Sequence, residues 1–518
     1  MTKKVFYINI RMGVKCLMRT IEGMSSVGAN FRGIDSVVES GGLFGIWNHP
    51  LANKITYFGL HALQHRGQTS AGIVTKDENT FTSFRGRGLI SHIFDTEDKL
   101  EKLVGNSAIG QVRSATVSDQ ADDSNIQPLL FHFNNQSIAI THNGNLTEAL
   151  SLRQQLENDG AVFSTNSAAE ILIHLIRRSK KNNFTDAFQS SIEQLNGGFN
   201  FCLLTDDALY GAVDKHGFRP LVIGQFSNGA YILASETCVL SSVGAKYVTE
   251  VQAGQYVVIN DEGYQITSYT NSPKPTLEPM EFIYFSRPDS DISGINVHTA
   301  RKEMGRRLAK EQPTHGADLV IGVPNSSLSS ASGYAEEHGL PYEIGLIKHQ
   351  YIGRTFIQPN QELREQGVRY KLSAVESLIR NKSIVLVDDS IVRGTTVRHL
   401  VELLRGAGAN EVHLRIASPP IRFPNYYGIN TTHTEELIAA NYTIKELNEL
   451  FGSDSLGYLS VNGLVDSINF DANIPHQEVS LDAYTGQYPS DIGDYQNEFQ
   501  ESLTPLQKKI LKGEFSDE

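Results

Sequence analysis

Between Gly42 and Val258 the apolar residues come in short runs, each closed by glycine, asparagine or aspartate. GLFGIW, TSAGIVT, SAIGQVR, SIAITHNGN, FNFCLLTDD and YGAVD are the clearest. Runs of that length between turn residues predict β-strands. Two stretches break the pattern, residues 146–158 and AAEILIHLIRR over Ala168–Arg178, where apolar positions recur at helical spacing. Grouped strands with few helices predict an α+β layered sandwich rather than a βαβ fold.

The texture changes after TSYTNSPKPTLEP, residues 267–279, a polar, proline-marked segment expected to be a domain boundary. ADLVIGVP (317–324), PYEIGLI (341–347), KSIVLVDDS (382–390) and EVHLRIASPP (411–420) are apolar runs separated by helical stretches. That alternation predicts an α/β domain whose parallel sheet is covered on both faces. The expected organisation is a leader or disordered tail over 1–40, a first domain over 41–270, a second over 271–470, and a peripheral helical C-terminal tail over 471–518. The leader is rich in basic residues and has one acid before Asp35, which suits an organellar presequence. A start codon assigned too early suits it as well, with Met18 and Met24 as the other starts.

Composition narrows the classes. At 518 residues the chain is too long for one core. A net charge of −13 argues against general nucleic-acid binding but leaves room for a local basic pocket. The three cysteines, Cys16, Cys202 and Cys238, are far apart, which speaks against a disulfide scaffold or a cysteine metal site. No window approaches a membrane span, and Arg11, Lys15 and Arg19 interrupt the apolar residues near the start. A cytoplasmic protein with no membrane partner is expected.

The sharpest local chemistry is IVLVDDSIVRGTTVRHLVELLRGAGA, residues 384–409. An apolar strand ends in Asp388 and Asp389, a tight loop follows, and a helix is expected from Thr395 to Leu404. Gly394 permits a close turn, and the loop N–H groups and helix N-terminus form an anion site. Thr395 and Thr396 add hydroxyl donors, while the two acids suit ribose hydroxyls or Mg²⁺. A single acidic strand end with a threonine cap is commonplace. Two adjacent acids before Arg393-Gly394-Thr395-Thr396 point instead to a sugar phosphate.

DDSIVRGTT resembles the signature of type I phosphoribosyltransferases, which bind phosphoribosyl pyrophosphate (PRPP). HALQHRGQTSAGI (61–73), YFSRPDSDISGINVHTAR (284–301) and YIGRTFIQPNQELREQGVRYKLSAV (351–375) narrow it to the glutamine PRPP amidotransferase family, closest to its Gram-positive form. The resemblance spans roughly residues 41 to 490. It implies an N-terminal-nucleophile hydrolase-like αββα sandwich followed by a type I phosphoribosyltransferase domain. It also implies PRPP contacts from Asp388, Asp389, Ser390, Arg393, Gly394, Thr395 and Thr396. Arg354 and Lys371 would lie on a loop that closes over PRPP, and Ser326, Asp388 and Asp389 would surround Mg²⁺. The family has an aspartate where Asn325 stands, so contact there is expected to differ.

The same resemblance exposes losses in the first domain. The family's nucleophilic cysteine maps to Gly41, which has no side chain. Ser40 is no substitute, because one residue along a strand turns the group to the other face and moves it by roughly 3 Å. The aspartate that holds the glutamine α-amine maps to Ala168. Arg113 would remain for the glutamine carboxylate, Asn143 and Gly144 as oxyanion donors, and Arg66 as a further pocket remnant. The four cysteines of the iron–sulfur cluster map to Glu278, Asn425, Ser480 and Ala483, so no cluster is expected.

The resulting expectation is an amidophosphoribosyltransferase homologue of purine synthesis that forms 5-phosphoribosylamine from PRPP with ammonia. No catalytic residue is expected for its glutaminase half. Purine nucleotides would be inhibitors, and the chain would form homo-oligomers. The alternative is a non-catalytic PRPP- or nucleotide-binding paralogue that regulates an active homologue in mixed oligomers.

Overall fold

A computed structural model describes residues 40–114, 123–133, 136–349, 372–429, 431 and 433–515. The first domain is built on two antiparallel sheets. One has seven strands, ordered Lys246–Glu250, Val222–Gln225, Tyr231–Ala234, Ser40–Trp47, Ser107–Ser114, Ser70–Asp77 and Thr80–Arg87. The other has six, ordered Gly263–Ser268, Gln255–Asn260, Leu209–Val213, Gly197–Leu204, Gln136–Leu146 and Leu129–Phe133.

Leu43, Trp47 and Ile109 of the first sheet meet Ala139, Cys202 and Leu204 of the second in one buried cluster between the sheets. The outer faces are apolar too. Ala52–Ala62 covers the first sheet through Ala52 and Leu60, with Leu63 just beyond its end. Ala168–Arg178 and Phe184–Ile192 cover the second through Leu172, Ile173 and Phe188. Four layers, αββα, follow from sheets that are apolar on both sides.

The second domain carries a parallel sheet in the order Leu319–Gly322, Ser383–Asp388, Glu411–Ile416 and Ser455–Tyr458. Val297–Glu311, Leu328–His338 and Val461–Ile468 pack on one face. Thr395–Gly406 and Ile444–Phe451 pack on the other. The sheet's carboxyl ends, where open α/β folds bind ligands, carry Gly322 and Asp388.

Two expectations need correcting. PYEIGLI is not a full strand of the parallel sheet. Tyr342 makes one isolated bridge to Val320, and Leu346–Lys348 pairs antiparallel with Leu372–Ala374 instead. Ile344 and Ile347 stay exposed, so this apolar run was not a buried one. The C-terminal segment is not peripheral either. Tyr495 and Phe499 join a buried aromatic cluster with Phe218 of the first domain and Phe423, Tyr426 and Tyr427 of the second. Tyr495 Oη accepts from Asn145 Nδ2 at 2.9 Å, and Asp494 accepts from the Leu150 N–H at 2.8 Å. Among the described residues, no helix is long and apolar enough to cross a membrane.

Candidate active sites in two domains

At the end of the strand Ser383–Asp388 two carboxyl groups lie side by side, both buried. Ser327 Oγ donates to Asp388 Oδ1 at 2.9 Å, and Ser326 Oγ donates to Asp389 Oδ2. Ser390 Oγ donates to the other Asp389 oxygen at 2.8 Å. The loop VPNSS, whose Pro324–Asn325 peptide is cis, is thereby fastened to the acid pair. Burial, reinforced by repulsion from Asp389, pushes Asp388 up to about 7. Burial raises Asp389 too, against the hydroxyls of Ser326 and Ser390. Two desolvated acids that resist ionising together form an oxygen donor set suited to a divalent cation.

Beyond the acids, Gly394 sits at φ 76° as the cap of the helix Thr395–Gly406. A side chain there would be strained by that backbone and would meet Ile438 and Phe451 at 2.8 Å. Thr395 and Thr396 are exposed at the helix start, where N–H groups and dipole favour an anion. Arg393 is exposed and paired with Glu436 at 2.5 Å. Arg354 and Lys371 lie outside the described residues. Among the described residues no cluster of three His, Cys, Asp or Glu side chains could hold a metal.

In the first domain Gly41 lies near the start of the central strand Ser40–Trp47, opposite Arg113. Its N–H donates to Asn143 Oδ1 at 2.9 Å. A Cβ built on Gly41 would stand 2.4 Å from Val112 O, closer than side chains approach a backbone oxygen. Ala168 begins its helix one residue after the cap Ser167. Gln127 joins this helix start to the Asn143 strand, accepting from the His142 N–H at 2.6 Å and donating to Ser167 Oγ at 3.0 Å. Gly41, Arg113 and Asn143 therefore meet at one buried corner, and Gln127 ties the start of the Ala168 helix to the strand that carries Asn143. Gly144 follows Asn143 on the strand and stands opposite Phe199.

Residues 112–242 match the glutamine amidotransferase domain family, and residues 295–417 match the phosphoribosyl transferase domain family. The chain is 52% identical over 483 residues to an amidophosphoribosyltransferase of Staphylococcus aureus, covering 93% of this chain and 97% of that one. It is 48% identical over 479 residues to the amidophosphoribosyltransferase of Bacillus subtilis, covering 92% and 98%. A solved glutamine PRPP amidotransferase from B. subtilis, complexed with ADP and GMP, superposes with a TM-score of 0.82 at 49% identity over 88% of this chain and 98% of that one. The chain belongs to the amidophosphoribosyltransferase family. Its two-domain architecture is that family's, a glutamine amidotransferase sandwich before a type I phosphoribosyltransferase sheet.

Arg66 has other partners than the pocket corner. Its guanidinium donates to Glu236, to Glu281 at 2.5 Å and to Ser286 Oγ at 3.0 Å. Arg219 reaches the same Glu281 at 3.0 Å. Burial alone would raise Glu281, but Arg66 and Arg219 hold it below the usual carboxylate range. Arg66 is thus a buried tie between this amidophosphoribosyltransferase's two halves. Neither Glu236 nor Glu281 carries a motif signal, since each sits in an ordinary sequence context. Ser327 was missed for a simpler reason: VPNSS offers two serines, and both bind an acid.

The positions to which the resemblance assigns the cluster cysteines have a definite structure. Asn425 Nδ2 donates to Glu278 Oε2 at 3.1 Å and to Asp482 Oδ2 at 3.0 Å, and Ser480 Oγ donates to Asp482. Asn425 Oδ1 accepts from the Tyr427 and Ile429 N–H groups at 2.9 and 3.2 Å. One amide therefore clasps two buried acids from distant segments. Ala483 sits beside them and accepts from the Arg422 N–H at 2.9 Å.

Proposed function

We propose that this amidophosphoribosyltransferase makes 5-phosphoribosylamine from PRPP using free ammonia, its own glutamine hydrolysis having been lost. Gly41 carries the reading: it offers no nucleophile, its N–H is engaged by Asn143, and Val112 O fills the space of a Cβ. Ala168 supports it, because a methyl group cannot hold an ammonium. In the second domain the acid pair is braced by Ser326, Ser327 and Ser390, as a working ligand site would be.

Asp388, Asp389 and Ser326 would hold Mg²⁺, which would balance the charge of departing pyrophosphate. Asp388 and Asp389 would also fix the ribose hydroxyls. The Thr395 and Thr396 hydroxyls and helix N–H groups would hold the 5-phosphate. Ammonia's lone pair forms the bond to ribose C1 as the C1–oxygen bond to pyrophosphate breaks, and the new ammonium then sheds a proton. Ammonia is mostly protonated at neutral pH, so the rate would rise with alkalinity. Purine nucleotides are proposed inhibitors, in line with the ADP and GMP of the B. subtilis complex. The working form is proposed to be a homo-oligomer.

The test is PRPP-dependent pyrophosphate release with Mg²⁺, comparing ammonium with glutamine. Release with ammonium alone supports the reading, and release with glutamine overturns it. Silence with both, from folded protein, favours a regulatory paralogue acting in mixed oligomers.

A further inference from the structure

A small cavity of about 180 Å³ lies away from both sites, lined in part by Asn196, Lys215, His216, Ser272, Lys274 and Ser490. Its walls come from the first domain, the interdomain segment and the C-terminal segment. Lys215 Nζ touches only neutral oxygens, Glu193 O at 3.2 Å and Asn196 Oδ1 at 3.3 Å. Among the described residues no carboxylate is in ion-pairing reach of Lys215 or Lys274.

The neighbouring acids have neutral partners and keep their charge, and Glu148 and Glu193 both act on Lys215 from a distance. Glu148 accepts from Asn196 Nδ2 at 2.9 Å, and Glu193 accepts from Gln189 Nε2 at 2.9 Å. Asp214 is buried under the N–H groups of Phe199, His216, Gly217 and Phe218. His216 is buried, stacked on Phe218 with centroids 4.8 Å apart, and its Nδ1 meets Thr276 Oγ1 at 3.3 Å. Burial, with Lys274 and Lys215 adding to it, lowers His216 to about 4. The cavity thus presents two ammonium groups, hydroxyls and a suppressed imidazole; Glu148 and Glu193 act on Lys215 from beyond ion-pairing distance, and neither lines the cavity.

We propose that this cavity is an anion site for a phosphate group, either inorganic phosphate or the phosphate end of a phosphomonoester. It is smaller than the roughly 300 Å³ at which whole-ligand pockets begin, so it takes a charged group and leaves any larger body outside. The Ser272 hydroxyl would donate to the phosphate alongside the lysines, while Ser490 Oγ, which donates to Tyr427 Oη at 3.3 Å, would have to turn to join it. Occupancy would bring the interdomain and C-terminal segments onto one ligand.

The reporter is His216 itself, which separates this site from phosphate bound in the second domain. Histidine side-chain NMR spectra of the full chain are assigned with His216→Gln and recorded during titration with inorganic phosphate. The expected result is a shift of the His216 signals and a rise of its midpoint towards the usual imidazole range. The Lys215→Met/Lys274→Met variant should lose that response. A parallel AMP titration identifies the source: a response to AMP assigns a phosphomonoester, and a response to phosphate alone assigns the free ion. An unmoved His216, an equal response to potassium chloride at matched ionic strength, or an unchanged response in the double variant overturns the proposal.

Discussion

The Gly41 N–H and Asn143 Oδ1 are hydrogen-bonded at 2.9 Å, joining the two residues around which a glutamine site would be built. Gly41 is moreover an internal strand residue, paired with Arg113. With residues 1–40 attached, its nitrogen is an amide and cannot serve as a basic amine.

Restoring the thiol alone therefore does not restore glutaminase activity. Gly41→Cys in the full chain should release no glutamate from glutamine. It should also lose about 1–3 kcal/mol of stability, because its Cβ is forced against Val112 O. Glutamate release and urea unfolding measure both effects. Glutamine turnover by the single variant would show that the strand yields more readily than its geometry indicates.

The acid pair makes a separate prediction. Asp389→Asn removes a charge that Ser326 and Ser390 hold in place. Charge-assisted hydrogen bonds contribute about 1.5–3 kcal/mol, so ammonia-dependent pyrophosphate release should fall by about ten- to a hundredfold. Removing Mg²⁺ with a chelator should abolish the activity of the unmodified chain. An Asp389→Asn chain with undiminished activity would place the reaction elsewhere.

The tie at Arg66 should be costly to cut. Arg66→Met leaves Glu236 and Glu281 buried with their main counter-charge gone, although Arg219 still faces Glu281. Breaking a buried pair from one side destabilises by about 3–5 kcal/mol. Calorimetry or denaturant unfolding should show a loss on that scale. A change within about 0.5 kcal/mol, ordinary for a surface substitution, would contradict a buried tie.

Stability should also depend on pH through the Asn425 clasp. Burial, with repulsion from Asp482, pushes Glu278 up to about 8, and burial pushes Asp482 up to about 6. In the unfolded chain both ionise near the ordinary carboxyl value of about 4. Between those limits the folded state keeps a proton that the unfolded state has lost. Stability therefore falls as pH rises from the ordinary carboxyl range to about 8, and then levels off. Glu278→Gln should flatten this slope and gain about 1–3 kcal/mol over the parent chain at alkaline pH. Parallel stability curves for the two chains would rule out a proton retained at Glu278 in the folded state.

Much of this was legible in the chain itself, for reasons that also mark the limits. The strands around Leu43, Ile109 and Cys202 could be read because their apolar runs are buried and end at turn residues. The helix Ala168–Arg178 matched its apolar spacing from end to end. Ser455–Tyr458 escaped notice because SLGY is too short and too small in side chain to show a period. Its strand character comes from pairing with Glu411–Ile416. The acid pair was visible as adjacent letters, whereas the Glu281 tie and the Asn425 clasp join residues more than a hundred positions apart. Contacts of that kind are made by the fold and leave no spacing to read.

The most direct measurement traces the nitrogen. The chain is supplied with PRPP, Mg²⁺, nitrogen-15 ammonium and unlabelled glutamine together, and the phosphoribosylamine is trapped and weighed. The account predicts that all of its nitrogen is the heavy isotope from ammonium. Light nitrogen from glutamine in the product would contradict it.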